Sequence, residues 1–297
     1  MAVTGGIYVQ IPAYRDRELL PTVCDLMQTA HHPERLRVAI AWQHNDDELH
    51  LEPALRQWPN VEVKKIPAAE SKGCNWARQL LQRGWDGEAY TLLLDSHHRF
   101  APGWDETSIE LLKQRKDAGS AKPIITAYLP PYDPEKDPQG RTICMFKIHP
   151  LERHDGLLFR LTGHALADWR NLKSPIPAHF TSLHYLFAEG SFNEAVPVDP
   201  SIYFFADEIA IALRAYTSGY DLFHPHCILG WHLYRRTTRI PHWEDHANWG
   251  ARNRESIKRL RALYCGTLHG EFGIGRARSI ADFETYVGVP LVAGTWS

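Results

Sequence analysis

Apolar residues follow two rhythms along the first hundred positions. Short runs at Ile7 to Ile11, Leu36 to Trp42, Val61 to Ile66 and Tyr90 to Leu94 have the length and continuity of strands buried inside a sheet. Between them, Glu18 to Ala30 places Leu19, Leu20, Val23, Leu26 and Met27 at helical spacing, and Leu49 to Trp58 and Gly73 to Arg83 predict two further helices. Strand and helix in alternation predict a mostly parallel sheet covered on both faces, hence an α/β, Rossmann-like architecture. Pro12 to Asp16 reads as the loop after the first strand.

Past Phe100 the pattern changes. Ala101 to Asp105 makes a turn into a helix from Glu106 to Arg115, and Pro123 to Tyr128 is another strand. Pro130 to Gly140 is rich in Pro, Asp and Gly and predicts a loop. Ile143 to Leu151 and Gly156 to Leu161 predict a smaller β element. Asp207 to Thr217 is helical, with Gly219 as its stop, and Tyr220 to Phe223 is a strand. Neither a linker nor an internal repeat divides the chain, so residues 1–297 are expected to form one domain.

Composition narrows the class. With 44% hydrophobic residues in 297, the chain can bury a sizeable core. A net charge of -2 and a pI near 6.8 give no electrostatic case for nucleic acid or an anionic membrane. The five cysteines are scattered, without C-x-x-C spacing, which suits a reducing compartment. Met1 to Gly6 leads directly into the first strand and no run of 18 apolar residues occurs, so the expectation is a cytoplasmic protein without a membrane span.

The candidate chemistry gathers at strand ends. Tyr90 to Leu94 stops at Asp95-Ser96-His97, and the carboxyl ends of parallel strands are where open α/β sheets place their ligands. A carboxylate oxygen and an imidazole nitrogen one residue apart suit a divalent metal such as Mn2+. In the loop from Pro12, Tyr14 is a candidate to stack on a base and Arg15 to meet phosphate; a surface turn is the alternative. Asp46 and Asp47 offer a ribose or base contact, or a solvated loop. Lys72 and Arg78 offer positive charge to a diphosphate, or a solvated helix face. Asp207 and Glu208 open a helix, either as a capping feature or as acceptors for sugar hydroxyls. Gly230 to Arg235 sets His232 beside the basic pair Arg235-Arg236.

The ordered motifs I-P-A-Y-R-D, K-G-C-N-W-A-R, L-L-D-S-H-H-R-F-A-P-G-W-D, F-F-A-D-E-I-A-I-A-L-R-A-Y-T-S-G-Y-D-L-F and the tail from Gly273 to Tyr286 resemble the polypeptide N-acetylglucosaminyltransferase family. Its founding members modify hydroxyproline of a cytoplasmic ubiquitin-ligase subunit, and the likeness runs over most of the chain. The D-S-H triplet and W-H-L-Y-R also look like the polypeptide N-acetylgalactosaminyltransferases, where a downstream histidine completes a metal site.

The resemblance implies a GT-A type nucleotide-sugar transferase that retains anomeric configuration, taking a UDP-N-acetylhexosamine donor, Mn2+ and a protein or peptide acceptor. It implies a nucleotide-binding half (1–100) and an acceptor and sugar half (101–297). Asp95, His97 and His232 would ligate the metal, with Pro12, Tyr14, Arg15, Lys72, Arg78 and Ser96 around the nucleotide. Arg235 would neutralise the departing diphosphate. Asp207 and Glu208 match an acidic pair that meets sugar or acceptor, although the family usually shows two glutamates there. Pro130 to Gly140 and Thr237 to Asn253 are the expected acceptor loops, the latter alternatively a lid. A metal-dependent hydrolase or phosphoesterase and a non-catalytic sugar-nucleotide-binding protein are the competing classes; the sequence has no H-E-x-x-H cluster for the first.

Overall fold

A computed structural model describes residues 5–140, 142–236 and 238–294; Met1 to Thr4 and Thr237, which entered the expectations above, lie outside them. The first hundred residues run β1 (Ile7–Tyr14), α1 (Leu19–Thr29), β2 (Leu36–His44), α2 (Glu52–Leu55), β3 (Val61–Pro67), α3 (Cys74–Gln82), β4 (Tyr90–Leu94) and β5 (His98–Phe100). There follow α4 (Trp104–Asp117), β6 (Pro123–Thr126), β7 (Phe146–His154), β8 (Leu157–Ala165), β9 (Ile176–Pro177) and β10 (Tyr185–Glu189). The chain ends with α5 (Phe192–Ala195), α6 (Asp207–Thr217), β11 (Asp221–His224), β12 (Gly230–His232), α7 (His242–Asp245), α8 (Trp249–Tyr264) and α9 (Ile280–Val287).

Eight strands form one sheet in the order β3-β2-β1-β4-β10-β6-β11-β9. The β1–β2, β2–β3, β1–β4 and β6–β11 pairs are parallel, and β10 runs antiparallel between β4 and β6. The sheet is therefore mostly parallel, as expected for an α/β GT-A type fold. From β1 the order steps out to β2 and β3, then returns to put β4 on the other flank. The carboxyl ends of β1 and β4 thus meet at a switch point, the crevice where such sheets hold ligands.

Alternation along the strands divides the core. Leu92 and Leu94 face a cluster with Leu19, Val23 and Leu26 of α1 and Trp104 and Leu111 of α4. Leu93 faces the opposite cluster, with Ile209 and Leu213 of α6, Leu260 of α8 and Phe283 of α9.

Some elements differ from the sequence expectation, each for a local reason. β1 runs on through Pro12 to Tyr14 instead of ending at Ile11. The Arg15 amide bonds Gln43 of β2, so by alternation the missing N–H of Pro12 points towards β4, whose pairing with β1 stops at Gln10. β7 and β8 form a longer hairpin than predicted, closed by Asp155-Gly156, both at positive φ (52° and 76°), as a type I′ turn requires. Helix α8 begins at Trp249, inside the stretch expected to be a loop.

A two-stranded ribbon, β5 with β12, stands beside the main sheet with His98 opposite His232. Gly230 opens β12 where a Cβ would stand 2.5 Å from the Arg99 carbonyl oxygen. No described helix is long and apolar enough to cross a membrane. Gly230→Ala should therefore force the two backbones apart and lower stability by about 1–3 kcal/mol, seen as an earlier urea midpoint; an unchanged midpoint would show that the ribbon tolerates the methyl group.

Candidate active site

The ribbon carries His232 to the end of β4. Its Nε2 lies 3.3 Å from Asp95 Oδ2, and His97 Nε2 lies 3.7 Å from the same oxygen. The three donor atoms fall within 4.8 Å of one another. Asp95 Oδ1 is already taken by Arg78 Nη2 at 2.5 Å, which leaves Oδ2 as the free oxygen.

Behind His97 stands Asp16, whose side chain is fully buried; its Oδ2 accepts from His97 Nδ1 at 2.6 Å and from Ser96 Oγ at 2.7 Å. With the Nδ1 proton committed there, the lone pair of Nε2 points into the site, and this buried atom has no hydrogen-bond partner among the described residues. A carboxylate that fixes the outer nitrogen of an imidazole is the usual support of a histidine metal ligand. Ligands about 2.2 Å from one cation are about 3.1 Å apart when adjacent, close to the two separations here. The set fits one divalent cation.

Electrostatics agree with that fit. Burial, the largest single influence, raises Asp95, but Arg78, His232 and His97 together outweigh it, and the carboxyl is held well below the usual range. Burial holds His232, His98 and His184 well below the usual histidine range, so at neutral pH they are uncharged, as ligation requires. His184 stacks on His232 at 4.1 Å and accepts from the Leu129 amide. His224 spends both ring nitrogens on Thr126 O and the Ile148 amide, which leaves it no free donor.

Arg78, Asp95, His97, His184 and His232 form part of the wall of a cavity of about 690 Å³. Of the residues singled out from sequence, Pro12, Tyr14, Arg78, Asp95, Ser96, His97, Asp207, Glu208 and His232 line it. Arg15, Lys72 and Arg235 do not. Arg15 pairs with Asp245 at 2.6 Å, and Lys72 is exposed with its ammonium over Trp76. The Arg235 side chain is 72% exposed and faces Asp133. Its neighbours Arg236 and Arg239 line the cavity instead, near Arg160 of β8. The chain bends at Arg235, past the end of β12, and it is the arginines after the bend that reach the cavity. The Tyr14 ring packs on His242 at 4.9 Å and its hydroxyl donates to Asp245 at 2.7 Å, so α7 lies against the cavity wall.

Asp207 and Glu208 begin α6 after Ala206, a buried alanine at φ 63°. Arg78 Nη1 stands 3.6 Å from Asp207, so one guanidinium faces two carboxylates. Glu208 accepts from Tyr128 Oη at 2.6 Å and from the Leu183 amide at 3.1 Å. Burial, reinforced by the adjacent Asp207 charge, raises Glu208 to about 7. Asp16, Tyr128, His184 and Arg239 had not been singled out from sequence, and Arg236 only as half of a basic pair. For Asp16 the one signal was its place at the end of the I-P-A-Y-R-D motif, which says nothing of its burial.

A family model described as Glycosyltransferase (GlcNAc) matches residues 6–56 and 48–271. The comparison with curated proteins finds no match. Among solved structures, GalNAc-T7 with UDP, GalNAc and Mn2+ superposes with a TM-score of 0.62 at 13% identity, covering 96% of this chain and 55% of that one. S. aureus TarS superposes with a TM-score of 0.57 at 9% identity, covering 94% of this chain and 41% of that one. TarS 1-349 in complex with UDP-GlcNAc gives 0.58 at 11% identity, covering 95% and 70%. The chain thus spans about half the length of GalNAc-T7 and less of full TarS. These identities speak for a shared fold.

The state of Glu208 is open to a stability measurement. A carboxyl raised above its unfolded value of 4.5 holds an extra proton in the folded state, so its contribution is present below about 4.5 and is lost as pH rises through about 7. Glu208→Gln removes that penalty and keeps the shape, and should be more stable than the native chain by about 1–3 kcal/mol at pH 8. The gain should vanish towards pH 4.5. Equal urea midpoints for the two proteins at pH 8 would mean that Glu208 titrates normally.

Proposed function

The chain belongs to the GlcNAc glycosyltransferase family, and we propose that it moves N-acetylglucosamine, or a related N-acetylhexosamine, from a UDP-sugar to a hydroxyl of a protein or peptide. In this proposal the reaction retains anomeric configuration and depends on a divalent cation such as Mn2+ held by Asp95, His97 and His232. The observation that carries the reading is the unpartnered His97 Nε2, aimed by Asp16 at the point where Asp95 and His232 also present donors. The donor and the cation are further supported by the UDP-GlcNAc in the TarS complex and by the UDP and Mn2+ in GalNAc-T7.

The mechanism follows from what each side chain is able to hold. When bound, the cation supplies positive charge to the diphosphate as the anomeric bond breaks. Arg78 keeps Asp95 ionised and turned, and Asp16 keeps His97 in the tautomer that leaves Nε2 free. Arg236 and Arg239, rather than Arg235, are the guanidiniums available to charge developing on the leaving group, a preorganised electrostatic role. Asp207 and Glu208 are placed for sugar or acceptor hydroxyls; with a proton, Glu208 both donates and accepts. No strong nucleophile is required if the acceptor hydroxyl attacks on the face from which the diphosphate leaves.

The halves 1–100 and 101–297 then serve mainly donor and acceptor, with His232 crossing over to join the donor side. The segment from Thr238 to Asn253 is assigned as a lid, because α7 meets Tyr14, Arg15, Ser71 and Tyr203 through polar and ring contacts that can part. A hydroxyproline-type acceptor and a cytoplasmic setting remain part of the proposal, the latter supported by five free cysteines. A two-metal hydrolase would need ligands for a second metal about 3.5–4 Å from the first. The other described cluster of candidate ligands, His31 with His32 and Glu106, lies outside the cavity.

Incubation with a panel of UDP-sugars, reading UDP release with and without Mn2+, tests the whole reading. Asp95→Ala or His232→Ala should abolish release with circular dichroism unchanged, and chelator-treated protein should recover with Mn2+; native rates in either variant, or indifference to chelator, would defeat it. Among the arginines, Arg236→Ala or Arg239→Ala should slow turnover by about 100-fold or more, with Arg235→Ala close to native. The reverse ranking would return the leaving-group role to Arg235.

A further inference from the structure

On the surface, where the chain leaves α1, three more donor side chains meet. We propose that His31, His32 and Glu106 form a second metal site, for one zinc-type dication, which ties the α1–β2 connection to the first turn of α4.

The backbone there is held for the purpose. Asp105, only 2% exposed, accepts from the His31 amide on one oxygen and from the His32 amide on the other, both at 2.8 Å. The two imidazoles stack at 4.9 Å with 13° between their planes and turn towards a single carboxylate. His31 Nδ1 reaches Glu106 Oε2 at 2.5 Å and His32 Nε2 reaches Oε1 at 3.0 Å. One donor atom from each of the three residues lies within 4.8 Å of the others.

An independent observation concerns the outer nitrogen of His32. Its Nδ1 is 3.2 Å from Glu34 Oε1, so a carboxylate stands behind one nitrogen while the other faces the cluster. The same relay holds His97 through Asp16 in the cavity, and it is how proteins fix the tautomer and raise the basicity of a ligating imidazole. Two imidazole nitrogens and one carboxylate suit Zn2+ better than Mg2+ or Ca2+, which prefer oxygen. The His31 side chain is 64% exposed and that of Glu106 50%, so an ion reaches the site without unfolding, and a coordination position stays open to water. A shared dication satisfies both nitrogens and the carboxylate together.

The site also has a mechanical consequence. The Gly103 amide donates to Thr29 O at 2.7 Å and the Phe100 amide to Asp25 Oδ2 at 2.6 Å, so the end of α1 already grips the joint between β5 and α4. A metal across His31, His32 and Glu106 adds a crosslink between the α1–β2 connection and α4, next to that joint.

The test uses the full chain carrying Asp95→Ala and His232→Ala, which removes the donors in the cavity, stripped with chelator and titrated with Zn2+ by calorimetry. One equivalent should bind, with a rise in melting temperature. Adding His31→Ala or Glu106→Gln, both at exposed positions, should weaken binding by more than about 100-fold and remove the thermal shift, with circular dichroism unchanged. Absence of stoichiometric uptake in the double-variant background would overturn the proposal, as would uptake of undiminished affinity in either added variant, which would point to the thiols instead.

Discussion

The pairing of β5 with β12 is the constraint on which the site depends. Asp95 and His232 are separated by 137 positions, and their 3.3 Å approach is set by three residue pairs in a ribbon outside the main sheet. Strands that short have little stability alone, so the ribbon is held by its flanks. The Ala101 amide bonds Leu229 O, the Leu233 amide bonds His97 O, and the His232 amide bonds Pro130 O. The third imidazole is therefore positioned by backbone bonds at both edges of β12, with stacking on His184 to orient its ring.

Charge balance in the cavity depends on Arg78 in a comparable way. It is buried, comes from α3, and faces Asp95 and Asp207 while also donating to Leu183 O. Removing one partner from a buried arrangement of this kind costs about 3–5 kcal/mol, because the remaining charges lose compensation. One guanidinium does not neutralise three carboxyls, however, and Glu208 is raised in the folded protein. The acid nearest neutrality is thereby the one bonded to Tyr128, away from the Asp95 end.

The sheet was legible because β1, β2 and β4 are buried on both faces and so read as unbroken apolar runs, and because helices of ordinary period lie between them. Asp95 and His97 were legible as a local feature at the end of such a run. His232 was not, since three-residue strands carry no measurable period; its role came only with the resemblance. Asp16 looked like part of a turn, because nothing in a sequence shows that a polar side chain will be buried beneath a histidine 81 positions away. Arg235 and Arg236 show the same limit at its finest. Which of two adjacent arginines enters a cavity depends on a bend in the chain at Arg235, to which composition and periodicity are blind.

Backbone strain marks the same place. Three described residues other than glycine have positive φ: Arg15, Asp155 and Ala206. Asp155 is accounted for by its hairpin turn. Ala206 has no side chain able to bond the backbone, is buried, and costs about 1–2 kcal/mol relative to ordinary conformations. Arg15 follows the last residue of β1 directly, at the mouth of the crevice. A relaxed turn at Ala206 would start α6 in another direction and turn Asp207 and Glu208 away from Arg78 and Tyr128. Strain at Ala206 and Arg15 and buried charge at Arg78 are thus parts of one arrangement: the core of the sheet is stable enough to hold, around one cavity, a set of groups that none of their local sequences favours.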